Sequence, residues 1–418
     1  MISRRKIAAL RFLIVAILGL QASYSSAANH LLADATQVAV GENHSCAVLK
    51  NSTAACWGNN DGGELGNPLA SNYAARPVPV LATPTTVLTG VVAIAAGTSF
   101  TCSLQDSGSV YCWGKNVHGS LGIGSEAPSA FPAKVAITER VLAITARAYH
   151  ACALLDTANR TVRCWGDNAS GQLGDNSTYV RTAPVDVEKF NVSGGIEMLT
   201  SVDEISAGSY HTCARTGSNV WCWGSNSKGQ SGQGNFAGSL AARAVKSTDG
   251  SDVLAGATQI SAGAAHSCAF FGGSATVNCW GDNTYGQIGS ATVGNATSLP
   301  TLVAGVDARS VAAGGYHTAA VLTAGRLSTW GSNDRGQLGN NTTTDTHVPG
   351  TIGIRNVAAV SGESFDTCAL LLDGSVSCWG DNSRGQIGSD IVGTTLVTTP
   401  TAVVAVRAPD TIFSNDFE

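Results

Sequence analysis

The chain has 418 residues, of which 44% are hydrophobic, 13% charged and 6% aromatic, and it contains 49 glycines. This glycine content indicates many tight turns and argues against long helices, while the low charge and ample hydrophobic content exclude a disordered chain. The net charge is −5, and no Lys/Arg cluster follows the first eleven residues. We therefore expect no nucleic-acid partner.

The N-terminus has the pattern of an export signal. Basic residues at positions 4, 5, 6 and 11 precede the apolar run Phe12 to Leu20, and small residues follow at 25–28. We predict a signal peptide over residues 1–28, with an uncleaved anchor as the alternative. The apolar run is shorter than the roughly 20 residues that span a bilayer, so no transmembrane span is expected after signal removal. The predicted location is secreted, periplasmic or cell-surface.

Seven repeats fill the rest of the chain. Each contains a Trp-Gly pair that opens the pattern W-G-x-N-x-x-G-x-x-G. A second pattern, close to G-x-x-H-x-C-A-L, lies upstream of each pair, and a short Pro/Val stretch lies downstream. The seven tryptophans are Trp57, Trp113, Trp165, Trp223, Trp280, Trp330 and Trp379.

Each repeat predicts four short strands separated by turns. Units of about 50 residues with four strands are typical of propeller blades, so the sequence predicts an all-β, seven-bladed β-propeller over residues 29–408. No Pro/Val stretch precedes the first repeat. We therefore expect the last stretch, Pro400 to Val406, to complete the first blade and close the ring through the C-terminal strand. Residues 409–418 form a predicted C-terminal tail.

The repeat pattern G-x-x-H-[TS]-x-A-L…V-x-x-W-G-x-N-x-x-G-Q-L-G resembles the repeats of the regulator of chromosome condensation family over residues 35–406. Blades of WD-repeat proteins end in Trp-Asp and kelch blades carry a Gly-Gly pair, so the motif is specific. The resemblance implies a seven-bladed propeller and protein binding as its common use.

The twelve cysteines occupy two repeated positions, one on the second strand and one before the Trp on the third. Opposite positions on paired strands suit a disulfide, and the sixth unit lacks both cysteines, with Ala319 and Thr329 in their places. Buried free thiols and a metal site are the alternatives, although the separations do not fit zinc knuckles. The predicted disulfides are Cys46–Cys56, Cys102–Cys112, Cys152–Cys164, Cys213–Cys222, Cys268–Cys279 and Cys368–Cys378.

The repeated tryptophans are interpreted as packing elements between blades, with exposed sugar-stacking rings as the alternative. Five histidines share one repeat position, where a structural hydrogen bond in each blade is expected; the second unit has Phe100 there. Asp-Asn pairs after three tryptophans raise the possibility of calcium, but no calcium-loop pattern accompanies them. No catalytic residue, metal ligand or cofactor is predicted.

Residues that differ between repeats are the better candidates for binding. If strands alternate in direction, the G-x-x-H turn and the W-G-x-N loop open on one face, and aromatic and Arg side chains are common interface anchors. Ordinary turn residues are the alternative interpretation. The predicted binding face contains Tyr149, Tyr210, Tyr316, Phe100, Tyr285, Arg335 and Arg384.

Together these observations predict an exported, monomeric, non-enzymatic scaffold that presents one propeller face to an unidentified protein ligand. One alternative is a guanine-nucleotide exchange factor-like regulator of a GTPase, which the signal peptide and disulfides disfavour. Another is a glycan-acting enzyme of the envelope or surface, for which no nucleophile or acidic-pair motif is found.

Overall fold

The computed structural model describes residues 31–191, 193–290, 294–391 and 396–405. The predicted signal peptide and C-terminal tail lie outside these residues. Within the described part of the chain, no helix has the length and apolar character needed to cross a membrane.

Seven four-stranded antiparallel sheets form the blades, each in chain order. Blade 1 contains β1 (Ala35–Val40), β2 (His44–Leu49), β3 (Ala54–Asn59) and β4 (Tyr73–Pro79). A small hairpin follows, of β5 (Leu81–Thr83) and β6 (Thr86–Val87). Blade 2 contains β7 (Val91–Ala96), β8 (Phe100–Gln105), β9 (Val110–Gly114) and β10 (Ser129–Lys134). Blade 3 contains β11 (Val141–Arg147), β12 (His150–Leu155), β13 (Val162–Gly166) and β14 (Arg181–Asp186).

A second hairpin, of β15 (Glu188–Phe190) and β16 (Ile196–Met198), precedes blade 4. Blade 4 contains β17 (Glu204–Ala207), β18 (His211–Thr216), β19 (Asn219–Gly224) and β20 (Ser239–Ala244). Blade 5 contains β21 (Gln259–Ala262), β22 (His266–Phe271), β23 (Thr276–Gly281) and β24 (Thr297–Leu302). Blade 6 contains β25 (Ala308–Ala313), β26 (His317–Leu322), β27 (Leu327–Gly331) and β28 (Thr346–Thr351). Blade 7 contains β29 (Val357–Gly362), β30 (Asp366–Leu371), β31 (Val376–Asp381) and β32 (Leu396–Ala402).

The first strand of every blade lies at the centre of the ring. These seven strands pack against one another in sequence, and β1 packs against β29, so the ring is closed. The predicted all-β, seven-bladed propeller is confirmed. Blade 4 departs from the others because β15 pairs with β20, which extends its sheet to six strands.

The two ends of the ring meet, as predicted, but the last strand belongs to a different blade from the one expected. Strand β32 pairs with β31 and completes blade 7, so the expectation that the Pro400 to Val406 stretch completes blade 1 is wrong. Instead, Leu32 donates a backbone hydrogen bond of 3.0 Å to Val403, and Leu31 forms a bridge with Val404. The physical reason is that β4 follows β3 directly, so blade 1 already has its four strands.

The repeated Trp-Gly pattern builds the contacts between blades. Every repeat Trp is fully buried, and its indole N–H donates to a loop carbonyl of the preceding blade, as Trp113 does to Glu64 at 2.9 Å. The last glycine of each pattern, such as Gly66, has positive φ and lies against the next blade's indole, where a Cβ would not fit. Trp57 makes the same bond to Gln386 of blade 7 at 2.8 Å, so the closing interface is built like the rest.

Six disulfides join the second and third strands, one in every blade except blade 6. Each joins residues that lie directly opposite, with Cα atoms 4.0–4.1 Å apart. The pairs are those that the repeat positions predict. In blade 6, Ala319 and Thr329 occupy the equivalent opposite positions.

Candidate functional site

One face of the propeller carries all the turns between first and second strands and all the loops between third and fourth strands. We call it the turn face. Neighbouring blades contact each other there, because the loop of one blade meets the turn of the next. These contacts are His118 with Tyr149 (ring centroids 6.0 Å apart), Tyr285 with Tyr316 (5.7 Å) and Arg335 with Phe365 (5.8 Å).

The predicted tyrosines lie on this face. Tyr210 is 50% exposed and Tyr285 39% exposed, whereas Tyr149 and Tyr316 are partly buried. Burial raises the pKa of Tyr149, with smaller contributions from nearby Glu42 and Tyr210. Burial and the nearby Tyr285 likewise raise the pKa of Tyr316. The hydroxyls of Tyr149 and Tyr316 therefore stay protonated at neutral pH and can donate hydrogen bonds to a partner.

The two predicted arginines also lie on the turn face, in its outer loops. Half of each side chain is exposed, 50% for Arg335 and 52% for Arg384. Arg384 of blade 7 lies 3.7 Å from Asp61 of blade 1, across the interface that closes the ring. Their exposure leaves both guanidinium groups accessible to a ligand.

Phe100 is not part of the face, so its assignment as a binding residue is wrong. It is 1% exposed and pairs with Gly114 at the position that histidine occupies in five other blades. Its ring belongs to the core between blades 2 and 3, together with Ala151. In the other interfaces with a repeat histidine, that histidine contacts a Ser or Thr of the next blade, and Ala151 occupies the position of this hydroxyl residue. Phe100 and Ala151 therefore replace both partners of the hydrogen bond.

The five repeat histidines are structural, as the repetition predicts. Each Nε2 lies 2.8–2.9 Å from a Ser or Thr hydroxyl of the next blade. Each hydroxyl donates its own proton to a loop carbonyl, so Nε2 is the donor to the hydroxyl. Burial lowers the pKa of His44 to about 4, and burial with the nearby Arg147 lowers that of His317 to about 3. These rings are therefore not proton-transfer groups at neutral pH.

An ion pair closes the channel at the centre of the turn face. Arg147 of blade 3 extends across the axis, and its Nη2 lies 2.7 Å from Glu363 Oε2 of blade 7. Its Nη1 donates to Ala262 of blade 5 and Ala313 of blade 6, at 2.9 and 3.0 Å. Both charged side chains are 6% exposed. Burial raises the pKa of Glu363 to about 7, although Arg147 opposes that shift.

This ion pair was not predicted, although the repeats contain its signal. Arg147 and Glu363 occupy the position of the first glycine in G-x-x-H; Glu363, for example, donates its amide N–H to the Asp366 carbonyl as Gly41 does to His44. The other five blades keep glycine there. Two residues of opposite charge that replace the same repeat glycine are the observation from which this ion pair could have been predicted.

No group of three or more His, Cys, Asp or Glu side chains is arranged to hold a metal ion within the described ranges. The Asp residues that raised the question of calcium instead organise their own loops. Asp167, for example, accepts a hydrogen bond of 2.8 Å from Gln172, and Asn168 caps Leu173 N–H at 3.0 Å. The predicted site residues offer aromatic, hydroxyl and guanidinium groups to a ligand.

Comparison with known proteins identifies relatives that match most of the ring. The family model described as RCC1-like domain matches residues 16–360, and the regulator of chromosome condensation (RCC1) repeat matches residues 354–386. The human E3 ubiquitin-protein ligase HERC2 is 29% identical over 68% of this chain, and the Arabidopsis thaliana ultraviolet-B receptor UVR8 is 28% identical over 72%. The matched segments make up 6% of HERC2 and 66% of UVR8, so this chain spans only part of each.

Among solved structures, Prp20p from Saccharomyces cerevisiae has the same fold. Its TM-score is 0.70 at 21% identity, with 87% of this chain and 86% of Prp20p covered.

Proposed function

Because the chain belongs to the RCC1-like domain family, we propose that it is an exported, non-enzymatic scaffold that binds a protein partner through the turn face. The tyrosine cluster on that face carries the proposal. Tyr149, Tyr210 and Tyr316 surround the closed channel, and Tyr285 lies against Tyr316 from the adjacent loop.

The chemistry of this cluster suits a protein ligand. Tyrosine contributes a large apolar area with little rotamer entropy and keeps a hydroxyl for hydrogen bonding, which is why it is enriched at interface hot spots. Arg335 and Arg384 add exposed guanidinium groups at the rim. Between the tyrosines, the buried pair of Arg147 and Glu363 spans the centre of this face.

Export is supported by two independent features. The N-terminal segment has the composition of a signal peptide, and the six disulfides suit an oxidising compartment. A protein partner has precedent on this fold, because Prp20p from yeast binds Gsp1p and histones.

A photo-crosslinking amino acid at Tyr210 tests the proposal. Tyr210 lies on the turn face, whereas Leu372, 67% exposed, lies between β30 and β31 on the opposite face and serves as the control. We expect the secreted protein to crosslink a discrete partner from position 210 and not from 372. Binding of that purified partner should then weaken at least about thirtyfold in Tyr210→Ala, the loss of about 2 kcal/mol that marks an interface hot spot, with no change in melting temperature. Equal crosslinking from both positions would reject the turn face as the binding surface.

A further inference from the structure

We propose that the outer part of blade 4 binds a saccharide chain that bears acidic groups, in a groove separate from the turn face. The groove has a volume of about 560 Å³ and lies where the β15–β16 hairpin extends the sheet. We call it the blade-four groove. The residues that carry the argument are Phe190, Asn191, Trp221, Gln233, Arg243 and Lys246.

Trp221 is the eighth tryptophan and lies outside the repeat pattern. The seven repeat tryptophans are fully buried, whereas Trp221 is partly exposed and lines the groove. Its indole N–H donates to Thr216 at 2.9 Å, and Lys189 Nζ lies 5.3 Å from the ring centroid. The guanidinium of Arg243 lies 3.9 Å from the ring of Phe190. Two aromatic rings are thus held in place by cations from the hairpin and from β20.

The groove is positively charged in an acidic protein. Its lining contains Arg243 and Lys246 but no Asp or Glu. Within the part of the chain that the structure describes, neither cation has a carboxylate within salt-bridge distance. Arg243 uses Nε to contact Ser239 Oγ at 3.2 Å, which leaves its terminal N–H groups for a ligand. Charge complementarity therefore points to an anionic ligand.

The other polar groups favour a saccharide over a peptide. The side-chain oxygen of Asn191 accepts hydrogen bonds from Ser193 and Gly195, which leaves its amide N–H groups to donate to a sugar hydroxyl. Gln233 donates through Nε2 to the Cys222 carbonyl, which leaves its Oε1 to accept from one. An extended peptide would need a free strand edge inside the groove, but β15 is paired on both sides, with β16 and β20. Recognition must therefore come from side chains, and aromatic rings beside amides and cations suit a hydroxyl-rich acidic chain.

The test uses tetragalacturonate as the probe and its methyl ester as the neutral counterpart. Trp221 is the one tryptophan accessible to acrylamide, so its fluorescence reports on the groove, and Trp221→Phe identifies that signal. We expect tetragalacturonate to protect Trp221 from quenching and the methyl ester to bind at least tenfold more weakly. Arg243→Gln and Lys246→Gln should each weaken binding at least tenfold, as expected for loss of a hydrogen bond to a charged group.

Lys134→Gln provides the matched control, because Lys134 is an exposed lysine on the outer strand of blade 2, at the register position of Ala244. It should bind tetragalacturonate like the parent protein. Equal affinity for the methyl ester, or an equal loss in Lys134→Gln, would overturn the proposal. A hexaglutamate peptide that binds as tightly as tetragalacturonate would overturn it too, in favour of an acidic peptide. Tyr210→Ala should leave this binding unchanged, so failure of the groove and failure of the turn face are distinguishable.

Discussion

Asp366 differs in chemistry from the residues that occupy the same repeat position in the other blades. It pairs with Gly380 where five other blades hold a neutral histidine, and it is fully buried. Neither carboxyl oxygen has a hydrogen-bond partner among the described residues. Burial raises its pKa well above the usual value, and nearby Asp381 and Glu363 raise it further. The carboxyl is therefore kept neutral, and ionising it costs folding free energy.

Asp366→Asn should change the pH dependence of stability. A raised carboxyl pKa means that the folded state holds a proton the unfolded state releases, so this group's contribution is favourable at acid pH and is lost as pH rises above about 4. The variant should match the parent's trend below pH 4 and gain relative stability as pH increases towards 8. Urea denaturation at several pH values measures the difference. If the difference in unfolding free energy between variant and parent stays constant across that pH range, the Asp366 carboxyl has the same pKa in the folded and unfolded states.

The structural role of a residue could be predicted from the sequence where that residue follows the repeat pattern. The histidine and tryptophan roles followed from repetition alone. Phe100 was misassigned because an aromatic residue in a turn motif suggests an exposed ring, although alignment on Cys102 places it at the buried histidine position. Arg147 and Glu363 were missed although both replace the same repeat glycine, because the distance between the two side chains across the ring follows only from the closed propeller.

At the scale of elements, the hairpin of the second and third strands recurs in every blade with the same strand register. Its turn, register and disulfide could be predicted because strand pairing is local. The blade to which β32 belongs could not be predicted, because a strand in this position of the sequence can complete either blade 1 or blade 7. The β15–β16 hairpin was also missed, because its segments are short and belong to no repeat.

Blade 6 offers a test of the disulfide register. Ala319→Cys with Thr329→Cys should form a seventh disulfide, since the two positions lie opposite like the six natural pairs. A crosslink over about ten residues stabilises by roughly 2–3 kcal/mol in the chain-entropy model. Part of that gain is offset because Thr329 Oγ1 donates to Leu338 at 2.8 Å. Non-reducing peptide mapping and thermal melting should show the bond and a net gain of about 1–2 kcal/mol; two free thiols in the folded variant would contradict the register.

At the scale of the whole molecule, Arg147 joins four of the seven blades. Its bonds reach from blade 3 to blades 5, 6 and 7, none of which is adjacent to blade 3 in the ring. The Trp and His hydrogen bonds, by contrast, link each blade only to its neighbours. We therefore expect the blades that Arg147 joins to unfold together.

Glu363→Gly should destabilise the ring strongly, because it leaves the buried guanidinium without its counter-charge. Removing one partner of a buried ion pair costs about 3–5 kcal/mol. The double variant Arg147→Gly/Glu363→Gly restores the glycine of the other five blades and should cost less than the single change. Chemical denaturation of the two single variants and the double gives the coupling energy. Additive losses would mean that the two side chains act independently.

The meeting of the chain ends also fixes the orientation in which the ring can be attached. Ala35, at the start of β1, donates its amide hydrogen bond to Gly374 in the turn between β30 and β31, on the side opposite the turn face. Leu31 and Val404 pair on that same side. A surface or fusion partner joined at either end of the ring therefore meets the back of the propeller. An attachment made at Leu31 or Val404 would leave Tyr210 and its neighbours, on the other face of the ring, free for a ligand.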